Sequence, residues 1–145
     1  MAITSRDISA SPVQVWSILA DGKKYAEWVV GADKVREVDD DWPDKDSQFR
    51  HTVGVGFMKL RDSTSVLECD PLRRLVLEAR VRPFGRARVE LELVASDGGT
   101  RIMMTEEPVS PLLLRATKRL VDPLIHVRNV EALRRLANLV GEVTT

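Results

Sequence analysis

Only one cysteine, Cys69, occurs in the sequence, so neither a disulfide framework nor a thiolate-built metal centre is available to it. No charge of one sign prevails: Lys and Arg number 22 against 22 Asp and Glu. Nothing therefore draws the whole chain towards nucleic acid or anionic lipid. Residues 1–72 carry 9 basic and 13 acidic side chains, which leaves 13 and 9 of the 22 of each for residues 73–145. That mild asymmetry reads as solvated faces of opposite sign. Long apolar runs are missing too, and none approaches the ~18 residues of a membrane span. Arg6 and Asp7 stand where a secretory leader needs an apolar stretch, so a cytoplasmic protein without membrane insertion is expected. Repeats and linkers are also absent. The 145 residues suit one domain, 1–145, and a domain of that size buries roughly 68–70% of its unfolded surface.

The one dense charge cluster is Asp39-Asp40-Asp41 with Asp44 and Asp46, around Trp42-Pro43. It lacks the alternating ligand spacing of a calcium loop and reads as a plain loop, so no metal is expected. Cys69 lies in Val66-Leu-Glu-Cys-Asp70, an apparent strand end, where it reads as a small half-buried hydrophobe. No serine sits in a nucleophile-elbow motif, and nucleophilic catalysis has little support.

Residues 2–9 read as a short strand. Ser11-Pro12 supplies an N-cap and a proline at the first helical position; Val15, Ile18 and Leu19 share one face, and Gly22 stops the helix. A second short helix is expected over Lys23 to Trp28. From Lys34 to Glu107 the apolar period changes to two, the mark of strands with one covered face.

Turn residues register these strands. A two-residue turn at Gly56-Phe57 sets Val53 against Leu60, His51 against Asp62 and Phe49 against Thr64. The turn at Asp70-Pro71 sets Val66 against Leu77 and Thr64 against Ala79. A three-residue turn at Pro83-Phe84-Gly85 sets Ala79 against Val89 and Leu77 against Leu91. Ser96-Asp97-Gly98-Gly99 sets Leu93 against Ile102 and Leu91 against Met104. All four turns place one apolar set on one face: Phe49, Val53, Leu60, Val66, Leu75, Leu77, Ala79, Val81, Val89, Leu91, Leu93, Ile102 and Met104. Arg50, Arg61, Ser63, Ser65, Glu78, Arg80, Arg88, Glu90, Glu92 and Arg101 fall on the other. A slip of one residue in any hairpin would mix the two sets.

The covered face needs a lid, and the C-terminal segment is suited to be one. Ser110-Pro111 and Asp122-Pro123 are cap-plus-proline starts, giving two helices or one kinked near Pro123. Beyond them Val130, Leu133, Ala137 and Val140, flanked by Val127 and Leu136, form an apolar stripe. Arg128, Glu131, Arg135 and Glu142 lie away from it. The fold class is therefore α+β, a curved antiparallel sheet of about seven strands around a long C-terminal helix.

In this order of elements the sequence resembles the START-like, helix-grip superfamily of birch-pollen-allergen-type and polyketide cyclase/dehydrase-type proteins. The matching residues are Ile8-Ser-Ala-Ser-Pro-Val-Gln-Val-Trp16, Trp28, Val66-Leu-Glu-Cys-Asp-Pro71, Gly99-Thr-Arg-Ile-Met-Met104 and Arg128-Asn-Val-Glu-Ala-Leu133. Arg50-His-Thr-Val-Gly-Val-Gly56, Arg61-Asp-Ser-Thr64 and Arg82-Pro-Phe-Gly85 resemble small bacterial members of the cyclase/dehydrase-type branch. The superfamily has no universal catalytic set to carry over, and fold does not settle function. No cofactor is expected.

Five polar residues stand on the inward face: His51, Asp62, Thr64, Glu68 and Glu106. A buried polar group without a partner costs roughly 1–3 kcal/mol, so each needs a partner, water or a ligand. His51 faces Asp62, which would fix the imidazole tautomer and favour its protonation. Thr64 and Glu106 lie nearby with the small residues Ala79 and Val89 between them, while Glu68 sits near the opposite rim. His126, beside the apolar stripe, reads as packing or surface, and Tyr25 and Trp28 as core or a gate.

A structural pair, the polar end of a ligand pocket and acid–base chemistry all remain open for these groups. The leading expectation is a binding module for a small hydrophobic ligand, a largely apolar metabolite or a lipid-like molecule. Its pocket would be lined by Trp28, Phe49, His51, Asp62, Thr64, Ala79, Val89, Leu91, Met104, Glu106, Val130 and Leu133. The alternative is an aromatase/cyclase- or dehydratase-type enzyme using His51, Asp62 and Glu106 as proton-moving groups. A filled-core interaction domain is the third reading, and both a monomer and a homodimer are compatible with the sequence.

Overall fold

Ser11 begins the first helix: its hydroxyl accepts from the Gln14 N–H at 3.3 Å while the Gln14 side chain accepts from the Ser11 N–H at 2.8 Å. This reciprocal cap, with Pro12 at the first helical position, is why α1 (Pro12–Leu19) starts where it does. In the computed structural model, residues 2–30, 32–55, 58–81, 85–109 and 122–144 are described. Strand β1 (Ala2–Ile8) precedes α1, and a 3-10 turn at Gly22–Lys24 leads into the short helix α2 (Tyr25–Trp28). Then come β2 (Ala32–Val38), β3 (Gln48–Val55), β4 (Met58–Asp70), β5 (Arg74–Val81), β6 (Gly85–Ser96) and β7 (Gly99–Pro108), and finally α3 (Asp122–Thr144). The helix start expected at Ser110-Pro111 lies outside the described residues.

The seven strands form one antiparallel sheet in the order β1-β7-β6-β5-β4-β3-β2, so the first strand closes the meander against the last. Asp97 and Gly98 make the β6–β7 turn, where Gly98 takes a φ of 78° that most side chains resist. At the neighbouring Gly99 an added Cβ would lie 2.0 Å from the Ile8 carbonyl oxygen, so the approach of β1 to β7 requires glycine there. Helix α3 packs against β1, α2 and α1. The arrangement is the helix-grip α+β fold.

The expected registers hold for three hairpins. Phe49 pairs with Thr64, His51 with Asp62 and Val53 with Leu60; Thr64 pairs with Ala79 and Val66 with Leu77; Leu91 pairs with Met104 and Leu93 with Ile102. The fourth is displaced. Leu77 pairs with Val89, Ala79 with Ala87 and Leu75 with Leu91, two residues from the expected alignment. Val81 pairs with Gly85, so residues 82–84, outside the described set, separate the strands. A shift of two keeps every side chain on its face, which is why the inward set survives.

Phe49, Val66, Leu75, Leu77, Val89, Leu91, Leu93, Ile102 and Met104 are buried as expected. The side chains of Val53, Leu60 and Val81 lie outside the described ones. On the outer face Glu90 pairs with Arg74 at 2.7 Å and Arg88 at 3.4 Å, and Glu78 pairs with Arg86 at 3.2 Å.

Two expectations are corrected. A bulge in β4 between Val66 and Glu68 turns Glu68 out of the inward row, where it is exposed and pairs with Arg74. The buried face of α3 is also rotated from the expected stripe. Val127 and Val130 are 67% and 44% exposed, while Asn129, Ala132, Leu133, Leu136 and Val140 are buried. The polar Asn129 faces inward because a buried carboxylate awaits it.

Candidate functional site

Five strands and two helices converge on a cavity of about 130 Å3 between the inner face of the sheet and α3. Ala79, Ala87, Val89, Met104, Ala132 and the Val29-Val30 pair after α2 supply its apolar wall, and the small alanines leave the space. Tyr25, His51, Thr64, Arg80, Glu106, Arg128 and Asn129 complete it. A larger groove of about 560 Å3 runs past Asp70, Leu72, Arg74 and Leu93 at another part of the sheet. That groove is a surface depression with no buried polar residue, whereas the smaller cavity gathers His51, Thr64, Glu106 and Asn129.

One polar group sits on β3 and β4. His51 and Thr64 are diagonal neighbours across this pair, within reach of one another. The ring Nε2 lies 3.0 Å from the Thr64 hydroxyl, and both residues are buried. The other ring nitrogen, Nδ1, has no hydrogen-bond partner. Asp62, directly across from His51, instead accepts from the Ser63 N–H at 2.9 Å. Arg36 donates to the backbone oxygens of His51 at 3.5 Å and Asp62 at 3.4 Å.

These contacts reverse the expected protonation. Burial lowers the His51 pKa below its ordinary 6.5, and the Asp62 charge and the Ser63 backbone oppose this only in part; Arg36 adds to the lowering. His51 is therefore a neutral imidazole at pH 7, held by Thr64 rather than by an Asp62 hydrogen bond.

The second polar group joins β7 to α3. Both Glu106 carboxylate oxygens accept from Arg128 Nη2 at 2.5 Å, and one also accepts from the Asn129 amide at 2.9 Å. Glu106 lies opposite Val89 in the sheet and is only 7% exposed. A carboxylate buried to that degree needs such donors, since leaving it unpaired costs several kcal/mol on the order of other broken buried pairs. Nearby, Tyr25 has its hydroxyl pKa pushed well above the usual value, first by burial and then by the Glu106 charge, with Arg128 opposing.

Of the residues singled out in the sequence, His51, Thr64, Ala79, Val89, Met104 and Glu106 line the cavity. Trp28, Phe49, Leu91 and Leu133 are buried in the core around it without lining it; Asp62 is buried beside His51, and Val130 is half-exposed. Trp28 belongs to an aromatic cluster instead, with Tyr25 5.0 Å away, and Tyr25 and Trp42 at 4.3 and 4.8 Å from Phe49. Sequence reasoning missed Val29, Val30, Arg80, Asn129 and Ala132, and put Arg128 on the wrong side of its helix. A signal existed: an inward Glu106 demands donors, and Arg128-Asn129 is a donor pair on the covering helix. His126 is exposed, with Nδ1 3.2 Å from the Thr4 hydroxyl. Among the described residues no cluster of potential metal ligands occurs, and no helix is long and apolar enough to cross a membrane.

Residues 3–141 match the family described as polyketide cyclase / dehydrase and lipid transport. No curated protein matches the sequence. Among solved structures, a protein from Nitrosomonas europaea is similar at 17% identity with a TM-score of 0.78, over 98% of this chain and 94% of that one. The Zhui aromatase/cyclase from a Streptomyces species is similar at 15% identity and a TM-score of 0.75, over 99% and 94%. The di-domain ARO/CYC StfQ of the steffimycin biosynthetic pathway gives 10% identity and a TM-score of 0.74, over 98% of this chain and 50% of that one.

Proposed function

The chain belongs to the polyketide cyclase/dehydrase and lipid-transport family, and from that premise we propose that it binds a small, largely apolar molecule in the cavity beneath α3. The observation that carries this reading is the cavity itself. Its largely apolar wall is interrupted by a few buried polar side chains, His51, Thr64, Glu106 and Asn129. Apolar walls give affinity, and a few fixed polar groups give orientation. Native mass spectrometry of the purified protein, followed by identification of what is extracted, tests it. One small apolar molecule per chain is expected; a chain that carries nothing and takes up no apolar compound would contradict it.

A second reading, proton transfer next to a ligand carbonyl, is favoured by one observation. His51 lines the cavity, and its burial lowers its pKa and favours the neutral imidazole that a general base needs. Asp62 would act on it through its charge. Glu106, already engaged by Arg128 and Asn129, is the weaker candidate. If His51 moves the proton, His51→Gln keeps binding but loses turnover by ~100-fold or more, the usual share of a positioned base. A ligand left chemically unaltered by wild type across pH removes this reading.

A further inference from the structure

We propose that the cavity takes a small monocarboxylic acid, its apolar body under α3 and its carboxylate held by Arg80 and Arg128. The inference rests on the binding reading above and adds the charge and head group of the ligand.

Charge comes first. The ionised side chains that line the cavity are two guanidiniums, Arg80 and Arg128, and one carboxylate, Glu106. His51 adds no charge, because burial keeps its imidazole neutral at pH 7. Near it Asp62 and Arg36 bring one charge of each sign. The lining therefore keeps one positive charge unmatched. A monoanionic ligand complements that excess, and a cationic one adds to it.

Free donors come second. Both bonds to Glu106 come from Arg128 Nη2, so Nε and Nη1 have no acceptor among the described residues. The Arg128 side chain is also 41% exposed, within reach of an incoming ligand. Arg80 is exposed and forms no hydrogen bond or ion pair among the described residues. Alternation puts it in the outer row of β5, yet the last β4–β5 pair is Thr64–Ala79. Arg80 thus stands where the two strands part, and it lines the cavity from there. The planar fork of a guanidinium matches the two oxygens of a carboxylate. A phosphate monoester carries about −1.5 to −2, more than the one unmatched charge.

Size comes third. The cavity holds about 130 Å3, and an apolar protein cavity of about 150 Å3 takes up benzene. The apolar body is therefore one ring or a short chain.

Calorimetric titration of the full chain with benzoate, benzyl alcohol, phenyl phosphate and benzylamine, at low and high salt, tests this. Benzoate should bind about tenfold tighter than benzyl alcohol, the effect of one hydrogen bond to a charged group. Added salt should shrink that ratio, since both arginines reach solvent. Arg80→Gln, a change at an exposed side chain, should remove most of the preference, and Ala79→Trp should abolish benzoate binding. Equal affinity for the two in wild type, or a preference that survives Arg80→Gln, overturns the proposal. Phenyl phosphate or benzylamine binding tighter than benzoate overturns it in favour of a dianion or a cation. Benzoate still bound by folded Ala79→Trp would sit on surface arginines, and that too overturns it. Should Ala79→Trp fail to fold, the wild-type ratio and its response to Arg80→Gln decide alone. If neither benzoate nor benzyl alcohol binds while an apolar dye saturates the cavity, the acid inference falls and the binding reading stands. If no apolar probe binds, both fall.

Discussion

At His51 two opposing influences meet, and their balance fixes when the ring charges. Burial disfavours the imidazolium while Asp62, across the β3–β4 pair, favours it, and burial prevails. The unfolded ring takes a proton near pH 6.5, but the folded ring resists until lower pH. Its contribution to stability is thus fully present above about pH 6.5 and is lost as the pH falls from there through the folded value. NMR titration of the ring should give a midpoint below 6.5 in wild type and a lower one still in Asp62→Asn. A midpoint above 6.5, or one that rises in the variant, would restore the dyad that the residue order implied. Glu106 offers a second test. Arg128→Met leaves its buried carboxylate to the Asn129 amide, and should cost about 3 kcal/mol in urea unfolding. Adding Glu106→Gln should recover much of that, because an amide is cheaper to leave partly unpaired than a carboxylate. Strictly additive losses would mean that the pair is not coupled. Cys69 needs no such network: burial raises its thiol pKa first, with the Asp44 and Asp70 charges adding to it, so it should alkylate more slowly in the folded chain than after unfolding.

Among the elements, the strands were more legible than the helix that covers them. Period-two alternation reports which face a residue takes, and Phe49, Leu77 and Met104 were placed inward from it correctly. It does not report which inward residue lies beside which. The β5–β6 pairing therefore came out two residues away without disturbing a single face, because Pro83 and Gly85 admit more than one three-residue loop. The bulge at Glu68 left no mark in the pattern either, since one extra residue in one strand cannot be seen in that strand alone. Helix α3 failed for a different reason. An apolar stripe ran through Val130 and excluded Asn129, and only a partner on β7 explains why Asn129 turns inward. Its site residues were legible in proportion: those on strands were found, Arg80 excepted, and Arg128, Asn129 and Ala132 on α3 were not. The rotation has a direct test. Leu136→Ala should cost about 2–5 kcal/mol and Val130→Ala no more than about 0.5 kcal/mol in chemical denaturation. The reverse order would put the stripe back where periodicity alone places it.

For the whole molecule, the fold makes a space that its side chains then narrow. Sites for small ligands usually run to a few hundred Å3, and the cavity under α3 holds about 130 Å3. The Glu106–Arg128–Asn129 group occupies part of the interior that an all-apolar face would leave open. What remains lies beside Ala79, Ala87 and Ala132, and a bulky residue at any of them would fill it. Saturable binding of an environment-sensitive apolar dye, compared between wild type and Ala79→Trp, tests this account most directly. Wild type should bind one dye per chain and Ala79→Trp, folded to the same circular dichroism, should bind none. Undiminished binding by Ala79→Trp would mean that the cavity under α3 is not where this protein takes its ligand.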